Sequence, residues 1–110
     1  MKRTFIQTFE FSKNWDRLGF LDSDLQRLEL EIMKNPKAGK VIRGTGKLRK
    51  IRFAFQGEGK RGSTRVCYVD FSEKETIYLI TVYPKSEKDD LTKAECHNIE
   101  KMINLLEKSL

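Results

Sequence analysis

From Thr4 to Phe9 apolar and polar positions alternate, with Phe5, Gln7 and Phe9 on one side and Thr4, Ile6 and Thr8 on the other, a strand pattern. Ser12 follows as a candidate N-cap for a short helix through Leu18, in which Trp15 has a packing role. Leu21, Leu25, Leu28 and Ile32 recur at spacings of three and four, which predicts a second helix from Asp22 or Ser23 to Lys34, stopped by Asn35 and Pro36. Lys37 to Lys47 holds three glycines and four cations and reads as a connecting loop. Leu48 to Phe55 is a strand with Ile51, Phe53 and Phe55 on one face and Lys50 and Arg52 on the other. Gln56 to Thr64 is a loop, Arg65 to Phe71 a strand rich in β-branched and aromatic residues, and Ser72 to Thr76 a polar turn. Ile77 to Tyr83 is almost wholly apolar, as expected of a central strand covered on both faces, and Pro84 ends it. Thr92 and Glu95 match a capping box, with Leu91 and Cys96 as its hydrophobic staple, and the helix they open buries Cys96, Ile99, Ile103, Leu106 and Leu110.

The order is strand, two helices, three strands, helix. Short polar turns between consecutive strands favour antiparallel pairing, so the expected fold is α+β. It has a small, mostly antiparallel four-stranded sheet with two N-terminal helices and a C-terminal helix. The 110 residues make one domain, 1–110, with room for a single two-layer core. No apolar run reaches the length of a membrane span, and the N-terminus lacks the continuous apolar segment of a signal peptide. A cytoplasmic protein with no membrane partner is the simplest expectation. Cys67 and Cys96 fall within apolar patterns and read as buried free thiols.

Charge changes the picture. Lys37 through Arg65 carries ten Lys and Arg against a single acid, Glu58, a local net of about +9 in a chain whose total is +6. Residues 1–36 balance six against six, and residues 66–110 carry six basic against nine acidic. A field of that sign concentrated in one segment attracts phosphate. Lys50 and Arg52 sit two apart on one strand face, and Arg65 opens the neighbouring strand, so the three cations converge on one patch suited to a scissile phosphate. Gly57, Gly59 and Gly62 spell G-x-G-x-x-G, yet they lead into a strand rather than a helix, which removes the dinucleotide reading. They make a hairpin loop from which Lys60 and Arg61 can reach a nucleic-acid backbone.

One histidine, His97, lies off the buried stripe of the last helix and faces solvent, so a histidine pair for acid and base catalysis is excluded, as is a zinc site from the usual ligands. Proton transfer in a nuclease of this composition falls to Lys, Tyr or a carboxylate. Lys50, crowded by other cations, is the leading base. Tyr68 and Tyr78 offer stacking surfaces or serve as structural strand residues. Glu87, Asp89 and Asp90 lie near the end of the final strand, where they also suit the acidic approach to a helix.

The blocks GTGKLRKIRFA, GEGKRGSTRVCYV and IYLITVYPKSEKDDLT resemble the RelE/HigB toxins of bacterial type II toxin-antitoxin modules, in particular the HigB branch with its G-x-x-K-R-G loop. The resemblance implies a RelE-like fold and a ribosome-dependent mRNA endonuclease (an mRNA interferase) in which the RNA 2′-hydroxyl attacks the adjacent phosphate, so that no metal or other cofactor is required. It also implies a cognate antitoxin, HigA-like with a helix-turn-helix domain, through which alone operator DNA is bound, and a working partnership with ribosome and mRNA. By position, Lys50 and Arg52 match the family's basic pair, Arg65 the arginine opening the next strand, and Lys85 the lysine after the last strand; these four form the implied catalytic set. Lys47, Arg49, Lys60, Arg61 and Lys88 are the cations assigned to binding RNA. Ser86 stands where such toxins often have a further arginine, and their C-terminal tyrosine falls near Thr92. Two other classes share these features: a ParE-like gyrase-inhibiting toxin of the same fold, and an RNA-binding module without catalysis.

Overall fold

The computed structural model describes residues 2–54 and 64–110. In chain order the elements are β1 (Thr4–Gln7), α1 (Phe9–Arg17), α2 (Asp22–Lys34), β2 (Lys40–Val41), β3 (Arg49–Phe53), β4 (Thr64–Phe71), β5 (Thr76–Pro84) and α3 (Lys93–Ser109). Among the described residues the strands form one sheet in the order β1-β5-β4-β3-β2. The β3-β4-β5 run is the antiparallel meander its short connections predict, whereas β1 joins β5 in parallel. The α+β class stands, and the sheet gains a fifth strand: Lys40–Val41, inside the expected loop, pairs with Lys50 and Arg49.

Alternation along β4 divides the core in two. Val66 and Tyr68 join Phe53, Ile77 and Leu79 beneath Phe11 and Trp15 of α1 and Leu28 and Ile32 of α2. Cys67, Val69 and Phe71 turn the other way, against Leu48, Ile80 and Ile99 and Ile103 of α3. Trp15 packs as expected, stacked on Phe11 with ring centroids 5.4 Å apart. Leu21, placed on the α2 stripe by its spacing, is instead exposed at the helix N-cap, where its backbone N–H donates to the Asp24 carboxylate at 3.0 Å.

The first helix starts earlier than its sequence suggests. Thr8, not Ser12, caps it: Thr8 Oγ1 accepts from the Phe11 N–H at 3.1 Å, and Phe9, which continues the strand alternation, opens the helix and is exposed. The same hydroxyl donates to the Ile80 carbonyl at 2.7 Å. That carbonyl belongs to a bulge, because Tyr68 faces Leu79 and Cys67 faces Thr81, leaving Ile80 as an extra residue on β5. An extra residue reverses the in-out alternation beyond it. Val82 therefore joins the core under α1 and α2, while Tyr83 joins the α3 side.

Tyr68 is fully buried and unavailable for stacking on a base. Its hydroxyl donates to the Pro36 carbonyl at 2.7 Å and accepts from the Gly39 N–H at 3.3 Å, tying the α2–β2 connection to the sheet. A Cβ on Gly39 would stand 2.8 Å from that hydroxyl oxygen, so glycine is required there by space. The capping box of α3 forms as its spacing predicts: Glu95 N–H donates to Thr92 Oγ1 at 3.1 Å, and Thr92 N–H donates to the Glu95 carboxylate at 2.8 Å. Of the apolar stripe that follows, Ile99 and Ile103 are buried and Leu110 is exposed.

Thr8→Val keeps the side-chain shape and removes both hydroxyl hydrogen bonds. It should cost about 1–3 kcal/mol in chemical denaturation, since a cap and the partner of a bulge carbonyl go together; a loss below about 0.5 kcal/mol would show that neither bond matters. The Lys88 ammonium, and then the Thr92 N–H, hold the Glu95 carboxyl below its usual 4.5. A depressed carboxyl contributes stability that is complete above that unfolded value and fades as pH falls through the folded one. Stability measured on acidification below about pH 4.5 should therefore fall less steeply in Glu95→Gln than in the wild type, and parallel curves would contradict the assignment.

Candidate functional site

Register places the basic residues. On β3, Arg49, Ile51 and Phe53 lean toward α1 and α2, and Lys50 and Arg52 toward the α3 face. Arg52 lies directly opposite Arg65, and Lys50 opposite Cys67, so the three cations that the sequence brings together share one face of two adjacent strands. Tyr83 extends that row on β5 as the partner of Arg65. Arg52 is exposed, Lys50 is half-buried, and Arg65 is only 7% exposed. Two cations set directly across a strand pair repel, and the arrangement gains from an anion held between or above them.

The anion in place is part of the chain. Asp90 Oδ1 accepts from Lys50 Nζ at 2.9 Å. That bond first, and the positive field of Lys50 and Arg65 after it, hold the Asp90 carboxyl below the usual range. Lys50, expected among cations alone, thus carries a carboxylate supplied from 40 residues away. Two buried donors nearby carry none: among the described residues Arg65 Nη1 and Tyr83 Oη have no oxygen or nitrogen acceptor, and Tyr83 Oη has only the Cys67 sulfur, a weak acceptor, beside it. Burial pushes the Tyr83 hydroxyl above its usual value, with Cys67 and Asp90 adding to the rise and Arg65 opposing it. Burial likewise pushes the Cys67 thiol up to about 12, against the pull of Lys50. Both groups stay protonated at neutral pH and present O–H and S–H rather than anions to the site.

The segment between β5 and α3 covers this face. Both Glu87 carboxylate oxygens accept from Arg17 at 2.9 Å, which fastens the segment to α1. Lys88 pairs with Glu95 and places its Nζ 5.5 Å from the centre of the Tyr83 ring. Lys85 is exposed in the turn after β5, where Glu87 and Lys88 N–H groups return to the Pro84 carbonyl. Of the two post-strand lysines, Lys88 lies on the Tyr83 side of the site. Asp90 also lines a hollow with Arg43, Lys93 and His97; His97 is exposed on α3.

The other assigned cations go elsewhere. Arg49 is on the opposite face, where Nη1 donates to the Lys37 and Gly39 carbonyls at 2.9 and 2.7 Å, a loop-holding role. Lys47 pairs with Glu107 of α3 and lies over the Phe71 ring. Tyr78 packs edge-on against Phe71. Lys60, Arg61 and the glycines of residues 57–62 lie outside the described residues, as does Phe55. Tyr83 was not separable in the sequence from its apolar neighbours, because the bulge that turns it toward Arg65 leaves no mark in IYLITVY. Cys67 and Cys96 are both free, the first buried and the second half-buried. No helix among the described residues is long and apolar enough to cross a membrane.

Similar folds are known. A double arginine-to-alanine mutant of Escherichia coli toxin RelE in the free state superposes with a TM-score of 0.57 at 21% identity, over 81% of this chain and 90% of that one. The toxin-antitoxin complex RelBE of E. coli contains a chain that matches at a TM-score of 0.55 and 23% identity, over 73% of this chain and 93% of that one. At the level of sequence, the family model described as RelE toxin of the RelE/RelB toxin-antitoxin system matches residues 3–109. A match over nearly the whole chain, on a fold that the solved toxins share, makes this chain a member of the RelE toxin family.

Proposed function

We propose that the chain is the toxin of a type II toxin-antitoxin pair, of the HigB branch, and that it inhibits translation by cutting mRNA on the ribosome. The observation that carries this reading is the cross-strand pairing of Arg52 with Arg65 beside Lys50, with Arg65 buried and, among the described residues, its Nη1 group without an acceptor. Burying an arginine with no carboxylate bound to it among the described residues is costly in a structure that only has to fold. The cost has a purpose where charge develops during a reaction, because fixed donors then need no reorganisation.

In the proposed reaction Lys50 leaves Asp90 and acts as the neutral amine, taking the 2′-hydroxyl proton as the RNA 2′-oxygen attacks the adjacent phosphorus. Arg52 and Arg65 neutralise the pentavalent phosphorane. The bond from phosphorus to the 5′-oxygen breaks, Lys85 or Lys88 neutralises that oxygen as it takes a proton from water, and a 2′,3′-cyclic phosphate remains on the upstream fragment. The nucleophile comes from the substrate itself, so the chemistry asks the protein for positioned cations and a proton acceptor. Arg43 and Lys93 beside the site extend a positive path for the RNA backbone, and Lys60 and Arg61 add their charge to its binding. Lys47 and Arg49, occupied by Glu107 and by loop carbonyls, contribute to the general field. The partner is a cognate antitoxin, HigA-like, whose acidic surface meets the local excess of positive charge.

Induced expression without the antitoxin should arrest growth, and primer extension should find mRNA ends within translated frames. Arg65→Ala should reduce cleavage about 10²- to 10³-fold, the usual cost of removing one donor to a developing oxyanion, and a 2′-deoxy nucleotide at the cut position should abolish it. Intact mRNA with a DNA-damage response would point instead to gyrase, and intact mRNA with salt-sensitive RNA binding to a module without catalysis.

A further inference from the structure

The reaction above uses Lys50 and Arg65 but gives Asp90 and Tyr83 no role. Lys50 Nζ is engaged by the carboxylate of Asp90, a residue whose side chain is 73% exposed while that of Lys50 is 28% exposed. Among the described residues Arg65 Nη1 and Tyr83 Oη are buried donors with no oxygen or nitrogen acceptor, Tyr83 Oη having only the weakly accepting Cys67 sulfur beside it, and they belong to residues paired across β4 and β5. Buried polar groups are nearly always satisfied, and two adjacent exceptions call for a missing acceptor. Asp90 is held by Lys50 and feels Arg65, yet it bonds neither free donor. Carboxylate and phosphate oxygens are interchangeable acceptors for ammonium and guanidinium groups. An ion pair with one partner so exposed is weakly held and easily exchanged.

We propose that Asp90 is a resident stand-in for a phosphate: an incoming phosphate oxygen replaces its carboxylate on Lys50 Nζ and supplies the missing acceptor to Arg65 Nη1 and Tyr83 Oη. Tyr83 is thereby a phosphate-binding residue, and Asp90 sets a threshold that an isolated phosphate crosses poorly and a polyanion, with contacts on both sides, crosses readily. The segment carrying Asp90 is tied down at Glu87 by Arg17 and at Thr92 by the α3 capping box, so the carboxylate can swing aside without the segment leaving the surface. The identity of the polyanion as RNA rests on the proposed function; the exchange itself does not.

The test uses the full chain and inorganic phosphate, followed by amide chemical shifts. Asp90→Asn should bind phosphate about fivefold or more tightly than wild type, since it removes both the ion pair and the repulsion of an incoming anion. The gain should disappear in a Lys50→Ala background, where Asp90 has nothing to occupy. Tyr83→Phe should bind phosphate more weakly while unfolding at a temperature no lower than wild type, an outcome that a purely structural hydroxyl would not give. Asp90→Asn binding phosphate no tighter than wild type, or Tyr83→Phe binding it equally well, would overturn the proposal; if Asp90→Asn fails to fold, the Tyr83→Phe arm decides alone. An mRNA made uncleavable by a 2′-deoxy nucleotide and presented on ribosomes separates the two readings. Phosphate results as stated with no RNA bound keep the exchange and reject the nuclease, whereas RNA bound equally by wild type and Asp90→Asn rejects the exchange alone.

Discussion

The hydrogen bond from Thr8 to the carbonyl of Ile80 is small, yet the handedness of the site depends on it. A strand can present Tyr83 beside Arg65 only if its alternation is reversed once between Leu79 and Thr81. Reversal costs a break in the ladder, and a carbonyl left without a strand partner inside a sheet is expensive. Thr8 stands where β1 ends and α1 begins, so one hydroxyl both closes the break and caps the helix. Helix, bulge and site face are consequently set together.

On that frame the cations are placed by register rather than by loops. Residues opposite one another on adjacent strands cannot drift apart without breaking backbone hydrogen bonds, so the Arg52–Arg65 juxtaposition is as rigid as the sheet. Their mutual repulsion is carried by the packing beneath them: Cys67, Val69 and Ile80 lie between the sheet and α3. The neutral neighbours matter as well. A thiol and a phenol that remain protonated leave the positive field of the lysine and arginines undiminished.

Much of this was legible in the residues. The face of β3 that carries Lys50 and Arg52 follows from a period of two, and the capping box from the spacing of Thr92 and Glu95. The start of α1 is hidden in the sequence because Phe9 continues the alternation of Phe5 and Gln7, while the residue that decides the boundary is a threonine whose hydroxyl also bonds a bulge carbonyl 72 residues away. A two-residue strand such as Lys40–Val41 is too short to have a periodicity. The bulge is invisible in a uniformly apolar run, where either parity buries comparable side chains. Asp90 was recognised as an acid near the strand end, but ion pairs between distant segments carry no local signal. The standing of Lys50 therefore changed from a lysine among cations to one already holding an anion.

The outer strands have a consequence for how this protein meets others. On one flank of the sheet the last strand is Lys40–Val41, and on the other it is the four residues of β1, whose first residue follows Arg3, clamped to Asp70 by two hydrogen bonds. An incoming polypeptide seeking to extend the sheet past Lys40–Val41 finds two residues of main chain to zip onto, one of them charged. Recognition by strand addition there is starved of length, so binding energy must come from side chains engaging the helices and the cationic face, and self-association into stacked ribbons is discouraged by the same economy of edge.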